Sequence, residues 1–166
     1  MSRPSDDRVE RLTLALAGCS AFGNTFDEGS SMAASDGAWA YYSAHAATDR
    51  ASLSVGERGI LAILDLRQEV ASGGFDAYFR YWRGDTAEEA LLALPTVLDE
   101  EWVRVLREAM NSLGAPYPSD PEARALILDE GVVDERLQAL DERIYELEAD
   151  AGVDTRIGEA IEGLRR

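Results

Sequence analysis

Large apolar side chains recur along this chain at spacings of three and four residues, the repeat of a helix that buries one face. The densest run is Phe75, Tyr78, Phe79 and Trp82, at i, i+3, i+4 and i+7. That spacing sets four large side chains on one side of a short helix, and it marks the expected centre of the core. Gly73 and Gly74 break this segment from a preceding helical pattern, and Gly84-Asp85 closes it. Strict two-residue alternation is absent, so the pattern predicts an all-α fold.

The remaining elements are set by the same period and by capping residues. Ser5 to Ala17 reads as a first helix with Val9, Leu12 and Leu16 on its apolar face. Gly18 to Ser35 is rich in Gly, Ser and Ala and reads as a flexible linker. Asp36 can cap a second helix with Trp39, Tyr42 and His45. Ser54 starts a third, with Glu57 three residues on, the reciprocal capping arrangement. Its face is Ile60, Leu61, Leu64 and Val70, and it should stop at Gly73 before the aromatic helix. Asp85 or Thr86 caps the next helix, through Leu91, Leu92 and Leu94, with Pro95 either ending it or opening the succeeding element.

Residues 99–113 form a further helix with Trp102, Val105, Leu106 and Ala109 inward, stopped at Gly114. Ser119 or Asp120 caps another, with Pro121 in the first turn, where proline fits. From Val133 to Asp150, apolar residues at 133, 137, 140, 144 and 147 make a narrow seam for a neighbour or a partner. A last helix runs from Asp154 to Leu164. The expectation is a compact domain of about eight or nine helices. Residues 1–35 form an N-terminal helix and linker, and residues 36–166 an all-helical acidic domain.

Charge changes this picture. The chain holds 32 acidic and 16 basic residues, a net of −16, and every basic residue is arginine. Residues 84–166 hold 21 of the acids and 8 of the arginines, so the acidity belongs to the C-terminal half. Such a charge repels nucleic acid and anionic membranes. It suits solubility or a basic partner. No run of about 18 apolar residues suggests a membrane span. The lone Cys19 excludes a disulfide framework within the chain. Leu16-Ala17-Gly18-Cys19 matches a lipoprotein cleavage box, but its apolar run is short and its arginines are offset by acids, so export is not expected.

Candidate chemistry is sparse. His45 is the single histidine, and a zinc-type site needs several His or Cys ligands. Cys19 as a nucleophile would need a base placed beside it. Paired carboxylates abound, yet adjacent pairs on amphipathic helices point outward rather than converge in a pocket. No phosphate-cradling glycine loop or calcium-loop pattern is present. No catalytic residue, metal or cofactor is therefore assigned. The aromatic run has too few basic neighbours for a nucleic-acid stacking platform.

The acidic residues are the remaining signal. Asp134, Asp141 and Glu148 recur every seven positions, and Glu135, Glu142, Glu146 and Asp150 join them on what should be an exposed side. Glu88, Glu89, Glu100 and Glu101 extend the set. Carboxylates four residues apart on a helix stand about 6 Å apart along its axis, comparable in scale to the charge spacing of a nucleic-acid strand. The alternative for this face is plain solvation.

Leu53-Ser54, Glu57-Arg58, Glu69-Val70, Gly73-Gly74-Phe75, Tyr78-Phe79, Gly84-Asp85 and Glu89-Ala90-Leu91 stand in the order of a known bacterial helical domain. Pro118-Ser119-Asp120, Leu140-Asp141 and Tyr145-Glu146-Leu147-Glu148 resemble its later part. The chain, from about Trp39 to Asp150, thus resembles a bacterial DNA-mimic protein family, small and acidic and mostly catalogued as a domain of unknown function. Ser72 stands where that family usually has Asn, and Tyr81-Trp82-Arg83 where it has small polar residues. The resemblance implies an all-α fold without catalytic machinery. For its characterised mimic it implies binding to a DNA-binding regulator.

The expectation is a cytoplasmic, non-enzymatic module that mimics DNA toward a basic DNA-binding protein. The acidic residues named above would be its contact surface. The alternative is a structural or regulatory module that binds a fixed partner, or itself as a homodimer, through the seam of Val133, Leu137, Leu140 and Ile144.

Overall fold

The computed structural model describes residues 37–166, and these are helical with no strand among them. Seven helices are present: α1 (helical over 37–44), α2 (Val55–Arg80), α3 (Ala87–Val97), α4 (Glu100–Ser112), α5 (Pro121–Asp129), α6 (Asp134–Glu148) and α7 (Gly152–Leu164). Short 3-10 turns occupy Arg50–Ser52 and Trp82–Thr86. The expected helix over Ser5–Ala17, the expected linker to Ser35 and the Leu16–Cys19 pattern lie outside the described residues.

α2 is the hub, and α3, α5, α6 and α7 all pack on it. Every residue from Gly59 to Arg67 is buried, so this middle stretch of α2 is enclosed on all sides rather than amphipathic. Its start is the expected one: the Ser54 side chain accepts the Glu57 N–H, and Glu57 accepts the Ser54 N–H at 2.8 Å. Gly59 permits close approach of α3, since a Cβ there would stand 2.7 Å from that of Ala93.

The seven helices among the described residues are slightly fewer than the eight or nine expected for the chain, one of which, over Ser5–Ala17, lies outside them. The aromatic segment is not a separate helix. It continues α2 past a kink, where Gly73 (φ −164°) and Gly74 (φ 72°) leave helical geometry. Phe75, Tyr78 and Phe79 are fully buried, as their spacing predicts, but Trp82 is 55% exposed. The α2 helix ends at Arg80 and the chain turns before Trp82 can join the stripe. Trp82 instead lies beside the guanidinium groups of Arg50 and Arg83, 5.6 and 5.2 Å from its ring centre.

Pro95 neither ends α3 nor starts a new element, because the helix continues to Val97. Asp99 caps α4, and Asp120 caps α5 with Pro121 in its first turn. Gly114 and Gly131 take positive φ where α4 and α5 stop.

The seam of α6 is spent inside the chain. Leu137, Leu140 and Ile144 are buried against α2 and α4, with Val133 and Leu147 partly covered. α6 lies antiparallel to the hub: Asp141 meets Phe75, Tyr145 meets Val70 and Glu148 meets Arg67. The seam that a second copy or fixed partner would need is already occupied.

Three buried charged residues lock the connections. Asp65, with no exposed surface, accepts from Tyr42 at 2.7 Å and from Arg50 at 2.9 Å. It ties α1 and the first 3-10 turn to α2, and burial together with this hydrogen bond pushes the Tyr42 phenol up to about 12. Arg124 of α5 is fully buried. It donates to the carbonyls of Phe79, Tyr81, Pro118 and Ser119 and to Asp85. Arg67 pairs with Glu148 at 2.6 Å and with Asp154 at 3.0 Å, joining α2 to α6 and α7. Burial opposes its charge, but the two carboxylates outweigh that and hold its pKa above the ordinary arginine value.

Candidate acidic interface

A carboxylate in the first turn of a helix is favoured by the partial positive charge there. Glu88 and Glu89 open α3, Glu100 and Glu101 open α4, and Asp134 and Glu135 open α6. Over half of the expected contact residues thus have a local structural reason for their place.

The structure divides the expected surface by partners. Glu88, Glu100, Asp134, Glu135, Glu142 and Glu146 are exposed. Among the described residues none of them forms an ion pair. The others are engaged. Glu89 pairs with Arg58 at 2.9 Å. Glu101 pairs with Arg104, and with Arg143 at 2.6 Å. Asp150 accepts the Gly152 N–H at 2.9 Å and pairs with Arg156 at 2.9 Å.

Asp141 and Glu148 do not stand on the outer side of α6, which corrects the seven-residue face expected from sequence. Asp141 is half-buried and accepts the Phe75 N–H at 2.7 Å. Burial raises its pKa above the ordinary carboxylate value, the Phe75 hydrogen bond opposes that, and neighbouring Asp76 adds to it. Glu148 is held by Arg67. At about 100° per residue both positions lie beside the buried seam, on the flank toward α2. Glu135, Glu142 and Glu146 lie roughly opposite that seam.

These three glutamates form the contiguous part of the site. Glu135 and Glu142 are about 10 Å apart along the axis, and Glu142 and Glu146 about 6 Å. The rest is dispersed: Glu89 sits by Arg58 near the start of α2, whereas Asp134 lines a depression with Gly73 near the kink. Arginines interrupt the acidity. Arg143 bridges α6 to Glu101 and Glu108 of α4, and Arg104 and Arg107 are exposed on α4.

No cluster of three or more His, Cys, Asp or Glu side chains that could hold a metal exists among the described residues. His45 follows α1, half-buried, with its ring against Tyr41 and its Nδ1 2.8 Å from the Tyr41 carbonyl. Among the described residues no helix is long and apolar enough to cross a membrane.

Sequence reasoning overlooked Asp65, Arg67 and Arg124. A signal existed for the first two. Charged residues set inside the run Ile60 to Val70 sit where burial is expected, and a buried charge requires a partner.

Residues 51–164 match the family model described as DMP19-like protein. The matched stretch runs from the first 3-10 turn to the last residue of α7. No curated protein and no solved structure matches the chain.

Proposed function

This chain belongs to the DMP19-like protein family, and on that footing we propose that it is an acidic interaction protein that mimics DNA. It occupies the nucleic-acid-binding surface of a basic protein such as a transcription regulator, and it performs no catalysis. The observation that carries the reading is the row Glu135, Glu142 and Glu146, exposed and turned away from the buried seam of α6. Its axial spacing is of the order of charge spacing in a nucleic-acid strand. The chain's net charge of −16 adds long-range steering toward a basic surface. Glu88, Glu100 and Asp134 serve as outlying contributors to that field.

The test is competition. The immobilised protein is exposed to lysate of its source organism and eluted with duplex DNA, then with salt. A DNA-binding protein should leave in the DNA step, and its affinity should fall steeply with salt. The variant Glu135→Arg/Glu142→Arg/Glu146→Arg should lose that protein while keeping its helical spectrum. Undiminished capture by the folded triple variant would remove this face from the proposal.

A further inference from the structure

α1, the start of α2 and the end of α7 enclose a depression of about 440 Å³. Its lining brings together Tyr41, His45, Glu57 and Arg165, which lie far apart in the chain. Ile161 and Leu164 supply apolar wall beside them. Small-molecule sites span roughly 300–1,000 Å³, so the volume suits a small ligand.

One of these groups is incomplete. Tyr41 is only 9% exposed, and its hydroxyl has no hydrogen-bond partner among the described residues. A buried hydroxyl without a partner is costly, and native proteins rarely keep one unused. Burial raises this phenol above its ordinary value, Glu57 adds to the rise and Arg165 opposes it. Both charges that bear on the hydroxyl thus line the depression, which sets it toward that wall. The phenol keeps its proton at neutral pH and is a donor.

The other polar groups have defined roles. The Glu57 Oε2 accepts the Ser54 N–H at 2.8 Å and the Ser54 hydroxyl at 2.7 Å. These bonds hold the carboxyl below its ordinary range, so it is ionised. Its Oε1 has no partner among the described residues. The His45 Nδ1 lies 2.8 Å from the Tyr41 carbonyl. A carbonyl only accepts, so Nδ1 carries the proton and Nε2 of the neutral ring is left as an acceptor. Arg165 is exposed, and among the described residues it forms no ion pair. The depression thus has an accepting edge, Glu57 and His45, and a donating edge, Arg165 and Tyr41. A simple anion would be repelled by Glu57 and a simple cation by Arg165. A molecule that carries both charges suits both edges.

We propose that this depression binds a small zwitterion, an α-amino acid with an apolar side chain. Arg165 and the Tyr41 hydroxyl hold its carboxylate, Glu57 and the His45 Nε2 hold its ammonium, and Ile161 and Leu164 receive its side chain. Tyr41, His45 and Arg165 lie outside the stretch 51–164 matched by the family. The site is a property of this chain and does not rest on DNA mimicry.

Free leucine is the probe, titrated into the full isotope-labelled chain. Amide signals of Tyr41, Glu57 and Arg165 should shift and saturate. Those of Asp134 and Gln138, in the depression beside Gly73, should stay in place. Isocaproate lacks the ammonium of leucine and isoamylamine lacks its carboxylate. Each should bind at least about tenfold more weakly, because each forfeits a charge-assisted contact. Tyr41→Phe keeps the ring and removes the hydroxyl, and Arg165→Gln removes the charge at an exposed position. Each should weaken leucine binding by about tenfold, with unchanged amide dispersion reporting an intact fold. If Tyr41→Phe disturbs the fold, Arg165→Gln decides alone. Absence of saturable shifts with leucine overturns the proposal, as does undiminished binding by a folded variant. Binding of either half-molecule as tight as that of leucine overturns it too, since one charge would then suffice.

Discussion

The Asp141 carboxylate accepts the backbone N–H of Phe75 at 2.7 Å, across the kink that divides α2. After the kink, Phe75 begins a new helical run whose first N–H groups have no partner within the helix. A side chain from α6 supplies one. The aromatic core is thereby fastened to a residue 66 positions later in the chain.

Replacing Asp141 separates its hydrogen bond from its charge. Asp141→Ala leaves a buried N–H unsatisfied and should cost about 1–3 kcal/mol. Asp141→Asn keeps an acceptor and removes the charge. Because the folded-state pKa of Asp141 lies above its ordinary value, its contribution to stability is fully present below the ordinary carboxylate pKa. That contribution is lost as pH rises through the raised folded value. Asp141→Asn should therefore gain on the parent as pH rises toward neutral and show no gain in acid. Denaturant titrations across that range check the sign, and a gain that grows on acidification would contradict it.

Gly74 adopts φ 72° and ψ −173°, a region open essentially to glycine alone. A Cβ there would also run into the Asp141 carboxylate. Gly74→Ala should cost on the order of 1–3 kcal/mol from the backbone alone, with more from displacement of Asp141. Thermal unfolding of the variant measures it. An unchanged midpoint would show that the kink is not obligatory.

Glu148 and the outer glutamates should separate cleanly in stability. Glu148→Ala removes the bidentate partner of buried Arg67 and should cost about 1–3 kcal/mol, tempered by Asp154, which remains within 3.0 Å. Glu142→Ala, at an exposed position without an ion pair, should change stability by less than about 0.5 kcal/mol. Paired urea titrations test this, and equal effects would undo the inner and outer assignment.

Phe79 and Trp82 share one apolar spacing but not one environment. Phe79→Ala empties a fully buried site and should cost about 3–5 kcal/mol. Trp82→Ala removes a half-exposed ring and its cation–π contacts, worth roughly 1 kcal/mol at such a site. Comparable losses from the two would return Trp82 to the core.

Local chemistry alone determined much of this protein. The three- and four-residue spacing predicts the helices, Ser54 and Glu57 the start of α2, Asp120-Pro121 the start of α5, and Gly73-Gly74 the break. Each depends on contacts within one or two turns, so the necessary information sits in adjacent residues. Only the tertiary structure decided which side of a helix is solvent. Asp141 and Glu148 share a seven-residue repeat with Asp134, yet α2 packs over their flank and draws both into hydrogen bonds. Pairing likewise joins distant residues: Arg143 reaches Glu101 and Arg124 reaches Asp85. A helical period gives the angle between two side chains. It does not give the width of the neighbour that covers one of them, and that width leaves Glu135, Glu142 and Glu146 as the free acidic row.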